Sequence, residues 1–198
     1  MGVQPDLVAH QSVHIDRLYL PDYSAGFFSY RRLQAEAHEK VQQQELKPGE
    51  ILEFGPGVKG KVLFGQTEDV SPDEAAHVIY LKYGDVSFLL MSHLSAELEE
   101  ELTVEWGDSL QADVLKVGRH GAAGATTAEL LEFVQPSYAV ISTSSENPLN
   151  APDEQVIQRL QDAGVRSNNI YRTDEQADIA IYTDGRAVRI ESGAMPSF

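Results

Sequence analysis

Residues 112–121 read ADVLKVGRHG, a β-forming run that ends in Gly118-Arg119-His120-Gly121. A histidine at the tip of a strand, between glycines, is placed to act as a ligand or a base. Its imidazole titrates near neutrality, and glycine lets the backbone turn sharply and a substrate approach. Beside this stands the plain reading of His120 as an exposed loop histidine. Other polar groups are blander. His38 lies among Glu36, Glu39 and Lys40, which reads as a solvated helix face. His77 opens a β-run and reads as structural. Thr143-Ser144-Ser145 follows another β-run; its hydroxyls and amides could cradle an anion, but it reads first as a plain loop. Trp106, Tyr80 and Tyr83 read as packing residues. The chain has no cysteine, which excludes disulfides, zinc-thiolate sites and thiol nucleophiles. No Walker loop, dinucleotide fingerprint or G-x-S-x-G elbow occurs.

The elements that must position these residues follow from periodicity and punctuation. Ile15–Leu20 alternates and stops at Pro21, a strand; Phe28–Gln44 is rich in helix formers. Glycine and proline bracket short strands at Ile51–Phe54 and Val62–Phe64. His77–Tyr83 and Val86–Met91 flank Gly84-Asp85, a hairpin signal. Ser95–Leu102 is a helix, and the acidic stretch Glu97–Glu105 reads as its exposed continuation. The chain then alternates: strand Ala112–Val117, helix Thr126–Val134, strand Tyr138–Ser142, helix Asp153–Ala163. Strands at Asn169–Arg172, Ile179–Thr183 and Ala187–Ile190 close it, the last two joined through Asp184-Gly185. Hairpins first and strand-helix alternation later make a mixed α/β layered fold. With 198 residues, 42% of them hydrophobic, one core and one domain over 1–198 are expected.

Asp and Glu total 31 against 15 Lys and Arg, a net charge of −16. Non-specific nucleic-acid binding needs cations to neutralise phosphates, and this field repels polyanions. Arg31-Arg32 is the one adjacent basic pair and reads as part of a solvated helix face. No apolar run approaches the ~20 residues of a membrane helix, and the N-terminus lacks the pattern of a signal peptide. The chain is expected to be soluble.

Several segments resemble, in order, those of the metallo-β-lactamase domain of the ComEC competence family. ADVLKVGRHGAAGATTAELLEFVQPSYAVIS is similar to a family segment running "DVLKVGHHGS…S…FL…V.P..AVIS". ENPLNAPDEQVIQRLQDAGV resembles "N.YGHP..EVL.RL..AG", and IYRTDEQADIAIYTDG resembles "VYRTD..GAI.I.SDG". Upstream, YGDVSFLLMSHLSAELEEEL and HIDRLYLPDYSAGFFSYRRLQAEA resemble "YG..SFLLTGD...E.E..L" and "VD.V.LPG….YR.LL..A". The similarity covers most of residues 14–191. It implies an αββα sandwich, here its later part, in a family whose members end a polytopic membrane protein that passes single-stranded DNA.

The departures fall on the metal ligands. Family enzymes hold two metal ions through H-x-H-x-D-H and later His and Asp positions, to activate a water and stabilise the attacked group. The H-x-H-x-D-H motif and its strands are absent; His10 and His14 have only an H-x-x-x-H spacing. Where the family has Gly-Asp, this chain has Ser92-His93; where it has Gly-His-His-Gly, Arg119 replaces one histidine; where it has Gly-His-Pro, Asn150-Ala151-Pro152 stands. The resemblance therefore implies a degenerate site and a non-catalytic structural or interaction module. The alternative is a metal-dependent phosphodiesterase or nuclease with a reduced or partner-completed site. There, His120 is the catalytic residue, His93 and His120 are the metal ligands, and Lys116 and Arg119 hold phosphate. No cofactor is expected under the first reading; zinc or manganese would serve the second. An incomplete first sheet implies a covering partner, either a second copy or an adjacent domain, with the membrane channel of a ComEC-like protein as the wider setting. A free-standing chain would be cytoplasmic.

Overall fold

The computed structural model describes residues 17–19, 41–65, 77–147 and 150–193. Its strands are β1 (Arg17–Tyr19), β2 (Gln42–Gln44), β3 (Ile51–Gly55), β4 (Val58–Phe64), β5 (Val78–Tyr83) and β6 (Val86–Leu90). Helix α1 (Ala96–Trp106) leads to β7 (Val114–Lys116), α2 (Ala128–Val134), β8 (Tyr138–Ile141), α3 (Glu154–Asp162) and β9 (Ile170–Arg172). The short helix α4 (Thr173–Gln176) precedes β10 (Ile179–Thr183) and β11 (Val188–Ser192).

Strands β3 to β9 form one seven-stranded sheet in sequence order. Pairing is antiparallel from β3 to β6, where short turns suffice, and parallel from β6 to β9. Parallel neighbours need long crossovers, and α1, α2 and α3 supply them. The register sorts the two faces. Leu89, Leu115 and Ala139 pair in a row and join Leu98 and Leu102 of α1, Leu130, Leu131 and Val134 of α2, and Val156 and Leu160 of α3 in one buried core. Residues one step along, Leu90, Lys116 and Val140, point to the opposite face, because side chains alternate along a strand. On that side a smaller cluster of Leu46, Leu52 and Val62, with Tyr19 and Ile79, forms around the parallel ladder β1–β2.

The β5–β6 turn matches its sequence signal. Tyr83 pairs with Val86 across Gly84-Asp85, and Gly84 has φ +59°, which a two-residue hairpin of this twist requires. A Cβ there would stand 2.4 Å from the Gly185 carbonyl oxygen. The turn of the β10–β11 hairpin rests on this spot, where the Asp85 N–H donates to Gly185 at 2.7 Å.

Two expectations are corrected. Gln42–Gln44, assigned to a helix, are a strand paired with β1; tertiary pairing overrides the helical preference of a glutamine run. The acidic stretch is not wholly exposed: Glu99 is completely buried beside Leu98, Leu102 and Thr103. The remainder of the predicted helix (28–40), His10, His14, Arg31-Arg32 and His38 lie outside the described residues.

Candidate functional site

The parallel strands β6, β7 and β8 end side by side, and their backbones stay knitted beyond the sheet. The Met91 N–H donates to the Lys116 carbonyl at 3.2 Å, Val117 to Val140 at 2.9 Å, and Arg119 to Ser92 at 2.9 Å. His93 follows directly from this edge. Next come two consecutive left-handed residues, Arg119 (φ 44°, ψ 38°) and His120 (φ 57°, ψ 18°). Non-glycine residues pay roughly 1 kcal/mol each for that region, so the surroundings must hold the turn. Gly121 closes it at φ +82°. A Cβ there would meet Pro152 at 2.7 Å, and its carbonyl accepts the Asp153 N–H at 2.9 Å.

The turn brings His120 onto His93. The two Nε2 atoms are 3.2 Å apart, with ring centroids at 5.0 Å and planes at 71°. His120 Nδ1 lies 2.5 Å from the Ser142 carbonyl oxygen. A carbonyl only accepts, so His120 Nδ1 carries a hydrogen. Burial lowers the His93 pKa first, and the charges of His120, Lys116 and Arg119 lower it further. Lys116 donates from Nζ to the Met91 carbonyl at 3.3 Å, and its burial pulls the ammonium pKa down. The structure therefore brings His93, Lys116, Arg119 and His120, the four residues selected from sequence, together beyond the ends of β6 and β7.

Other candidates separate from it. Thr143 and Ser144 are committed internally. The Thr143 N–H donates to Thr173 Oγ1 at 2.8 Å, Thr143 Oγ1 donates to the Ala151 carbonyl at 3.0 Å, and Asn147 Nδ2 donates to the Ser144 carbonyl at 2.6 Å. That arrangement is a structural loop. Trp106 packs on the core and donates to the Leu63 carbonyl at 2.9 Å. Tyr80 also packs there.

Glu99 is the residue that sequence reading missed. Its two carboxylate oxygens accept the Thr126 N–H at 2.7 Å and the Thr127 N–H at 2.8 Å. Burial raises its pKa against these bonds. On the other side of the same loop, Arg159 donates to the Ala123 and Ala125 carbonyls, both at 2.9 Å. The segment leading from His120 to α2 is thus clamped by a buried anion at its N–H groups and a cation at its carbonyls. The available signal was helical spacing: Glu99 stands three and four residues before Leu102 and Thr103, on the stripe that turns inward.

No protein-family model matches the chain. ComE operon protein 3 of Bacillus subtilis (strain 168) is 33% identical over 184 residues, which cover 90% of this chain and 22% of that protein. Competence protein ComA of Neisseria gonorrhoeae is 28% identical over 109 residues, 55% of this chain and 15% of that protein. The chain is a homologue of the ComEC-type competence proteins. It spans about a fifth of the length of these relatives or less. Its fold is a mixed α/β arrangement, a seven-stranded sheet with flanking helices. Among solved structures, a CmlA beta-hydroxylase mutant overlays 79% of this chain and 38% of that one at 14% identity and a TM-score of 0.49, too low to bear on function.

The residues present do not fit the two-metal centre that the family resemblance implies. Two imidazoles on one tetrahedral ion, each about 2.0–2.1 Å away, sit roughly 3.3 Å apart. The His93–His120 separation of 3.2 Å therefore offers one edge of one ion's shell. Catalytic zinc takes three protein ligands, and no cluster of three His, Cys, Asp or Glu with ligand geometry occurs among the described residues. The neighbours are cations, which oppose a second positive centre.

Proposed function

We propose that this chain is a non-catalytic member of the ComEC-type lineage, a metallo-β-lactamase-like domain that serves DNA-uptake machinery as a structural or interaction module. The observation that carries the reading is the pairing of His93 with His120 at 3.2 Å, with Lys116 hydrogen-bonded alongside. Imidazoles that satisfy each other, with cations for company, have left metal chemistry. The membrane-associated setting and a partner over the sheet face opposite the helices, either a second copy or an adjacent domain, belong to this proposal. No described helix is long and apolar enough to cross a membrane. The decisive measurement is metal content of the purified chain by mass spectrometry, before and after exposure to zinc and manganese. Sub-stoichiometric, readily dialysed metal is expected; one or two tightly held ions per chain would overturn the reading.

A second reading rests on the same 3.2 Å distance, which suits two ligands of one ion. Under it the chain is a metal-dependent hydrolase of phosphodiesters whose missing ligands come from another domain. Cleavage of single-stranded DNA or a model diester by metal-supplemented chain, abolished in His120→Ala, would support it. Identical inactivity of both proteins would remove it.

A further inference from the structure

Helices α2 and α3 are neighbours on the helix side of the sheet, and a trough of about 500 Å³ opens between them. Helical spacing makes its walls. Ala128, Leu131 and Glu132 stand three and four apart on one stripe of α2, and Arg159, Asp162 and Ala163 do the same at the end of α3. Leu131 is buried and gives the trough an apolar floor. Alanine on either side, at 128 and 163, leaves space that a longer side chain would fill. The rim is acidic. Glu132 and Asp162 are exposed, and neither belongs to an ion pair among the described residues. Arg159 is the cation lining the trough, but it is turned inward, its Nη2 donating to the Ala123 and Ala125 carbonyls at 2.9 Å. Its Nε is buried and finds no acceptor. Buried donors are normally paired, so this one marks a place for an oxygen that the chain does not supply.

We infer that this trough docks a lysine- or arginine-bearing segment of a partner protein. Each part of the trough matches a part of such a segment. The aliphatic stem of a lysine or arginine lies along apolar surface while its charged head stays at the edge; here the stem covers Leu131 and the head reaches Glu132 and Asp162. Ammonium and guanidinium groups donate to carboxylates in charge-assisted bonds. A main-chain carbonyl of the same segment offers the acceptor that Arg159 Nε lacks. A net charge of −16 draws a basic partner in at long range and repels an acidic protein or a nucleic acid. Neither His93 nor His120 lines the trough, so the docking site stands whether or not those imidazoles take a metal ion.

The test is amide NMR of the whole chain, titrated with blocked peptides at about 0.15 M ionic strength, where exposed charges are screened beyond ~8 Å. The probes are acetyl-Lys-Leu-Ala-Lys-amide and its counterpart acetyl-Glu-Leu-Ala-Glu-amide. Saturable shifts centred on residues 128–135 and 159–163 are expected with the lysine peptide and none with the glutamate peptide. Glu132→Gln and Asp162→Asn should each weaken binding about threefold, the scale of one partly exposed ion pair. Ala128→Leu should weaken it further, because it fills the trough with both acids in place. Glu53→Gln, which removes an exposed acid from β3, should bind like the unaltered chain. All four positions are exposed, so these variants keep the fold. Unsaturable shifts scattered over the acidic surface would mark diffuse attraction and overturn the proposal. So would the absence of shifts with the lysine peptide, equal binding by Ala128→Leu, or a loss in Glu53→Gln as large as that in Glu132→Gln.

Discussion

Replacing Glu99 with glutamine changes one oxygen to an amide nitrogen and should destabilise the chain. The carboxylate is completely buried and accepts two backbone N–H groups, at 2.7 and 2.8 Å. A glutamine oxygen can keep one of them, but its NH2 group then faces the other N–H, donor against donor. Leaving a buried donor unpaired costs about 1–3 kcal/mol, which for a domain of this size lowers Tm by several degrees, at roughly 2–4 °C per kcal/mol. The pH dependence gives a second handle. Burial raises the folded pKa of Glu99 above its unfolded value of about 4.3. The stability this group contributes is therefore complete below that unfolded value and is lost as pH rises through the folded pKa. Glutamine has no such titration. Urea unfolding of both proteins between pH 4 and 8 should show a fall in stability with rising pH in the unaltered protein that Glu99→Gln lacks. His93 and His120 ring signals should shift in the variant, because the loop that delivers His120 is the loop Glu99 holds. Equal stability at all pH values, or a deficit with unmoved imidazole signals, would refute the clamp.

Two further substitutions test the local framework. Thr127 caps α2 through Oγ1, which accepts the Leu130 N–H at 3.2 Å; Thr127→Ala should cost about 1 kcal/mol in denaturant unfolding. Gln135 ends α2 in the left-handed region, at φ 46° and ψ 52°, on the exposed surface. Gln135→Gly should stabilise by about 0.5–1 kcal/mol, read as a raised Tm.

The parallel half of the sheet was legible because its signals were local and redundant. Its strand runs and the helix-forming runs that open at Thr126 and Asp153 each lie within a few residues of what they specify. Pairing between distant segments was not legible in the same way. Gln42–Gln44 carries a helical composition, and only its partner Arg17–Tyr19 makes it a strand. At the site, the four residues His93, Lys116, Arg119 and His120 were identified from family-like strings, yet the strings said nothing of the contact between the two imidazoles. That contact depends on left-handed backbone at Arg119 and His120, a conformation no propensity scale favours for either residue. Glu99 was lost in a run of acids whose other members are mostly solvated.

Protein hydrogen bonds hold that turn. In a metal enzyme, coordination can fix a ligand loop, since binding free energy adds to folding free energy. Here the same task falls to protein groups. Ser142 accepts from the His120 ring, Ser92 accepts from the Arg119 amide, Gly121 accepts from Asp153, and Glu99 and Arg159 grip the segment beyond. Each bond contributes about 1 kcal/mol, more where a charge takes part, and together they exceed the roughly 2 kcal/mol of left-handed strain at Arg119 and His120. Loop geometry and ligand chemistry are thereby separable. The bonds from the Arg119 and Asp153 amides and the His120 ring to backbone carbonyls do not use the side chains of His93 and Arg119.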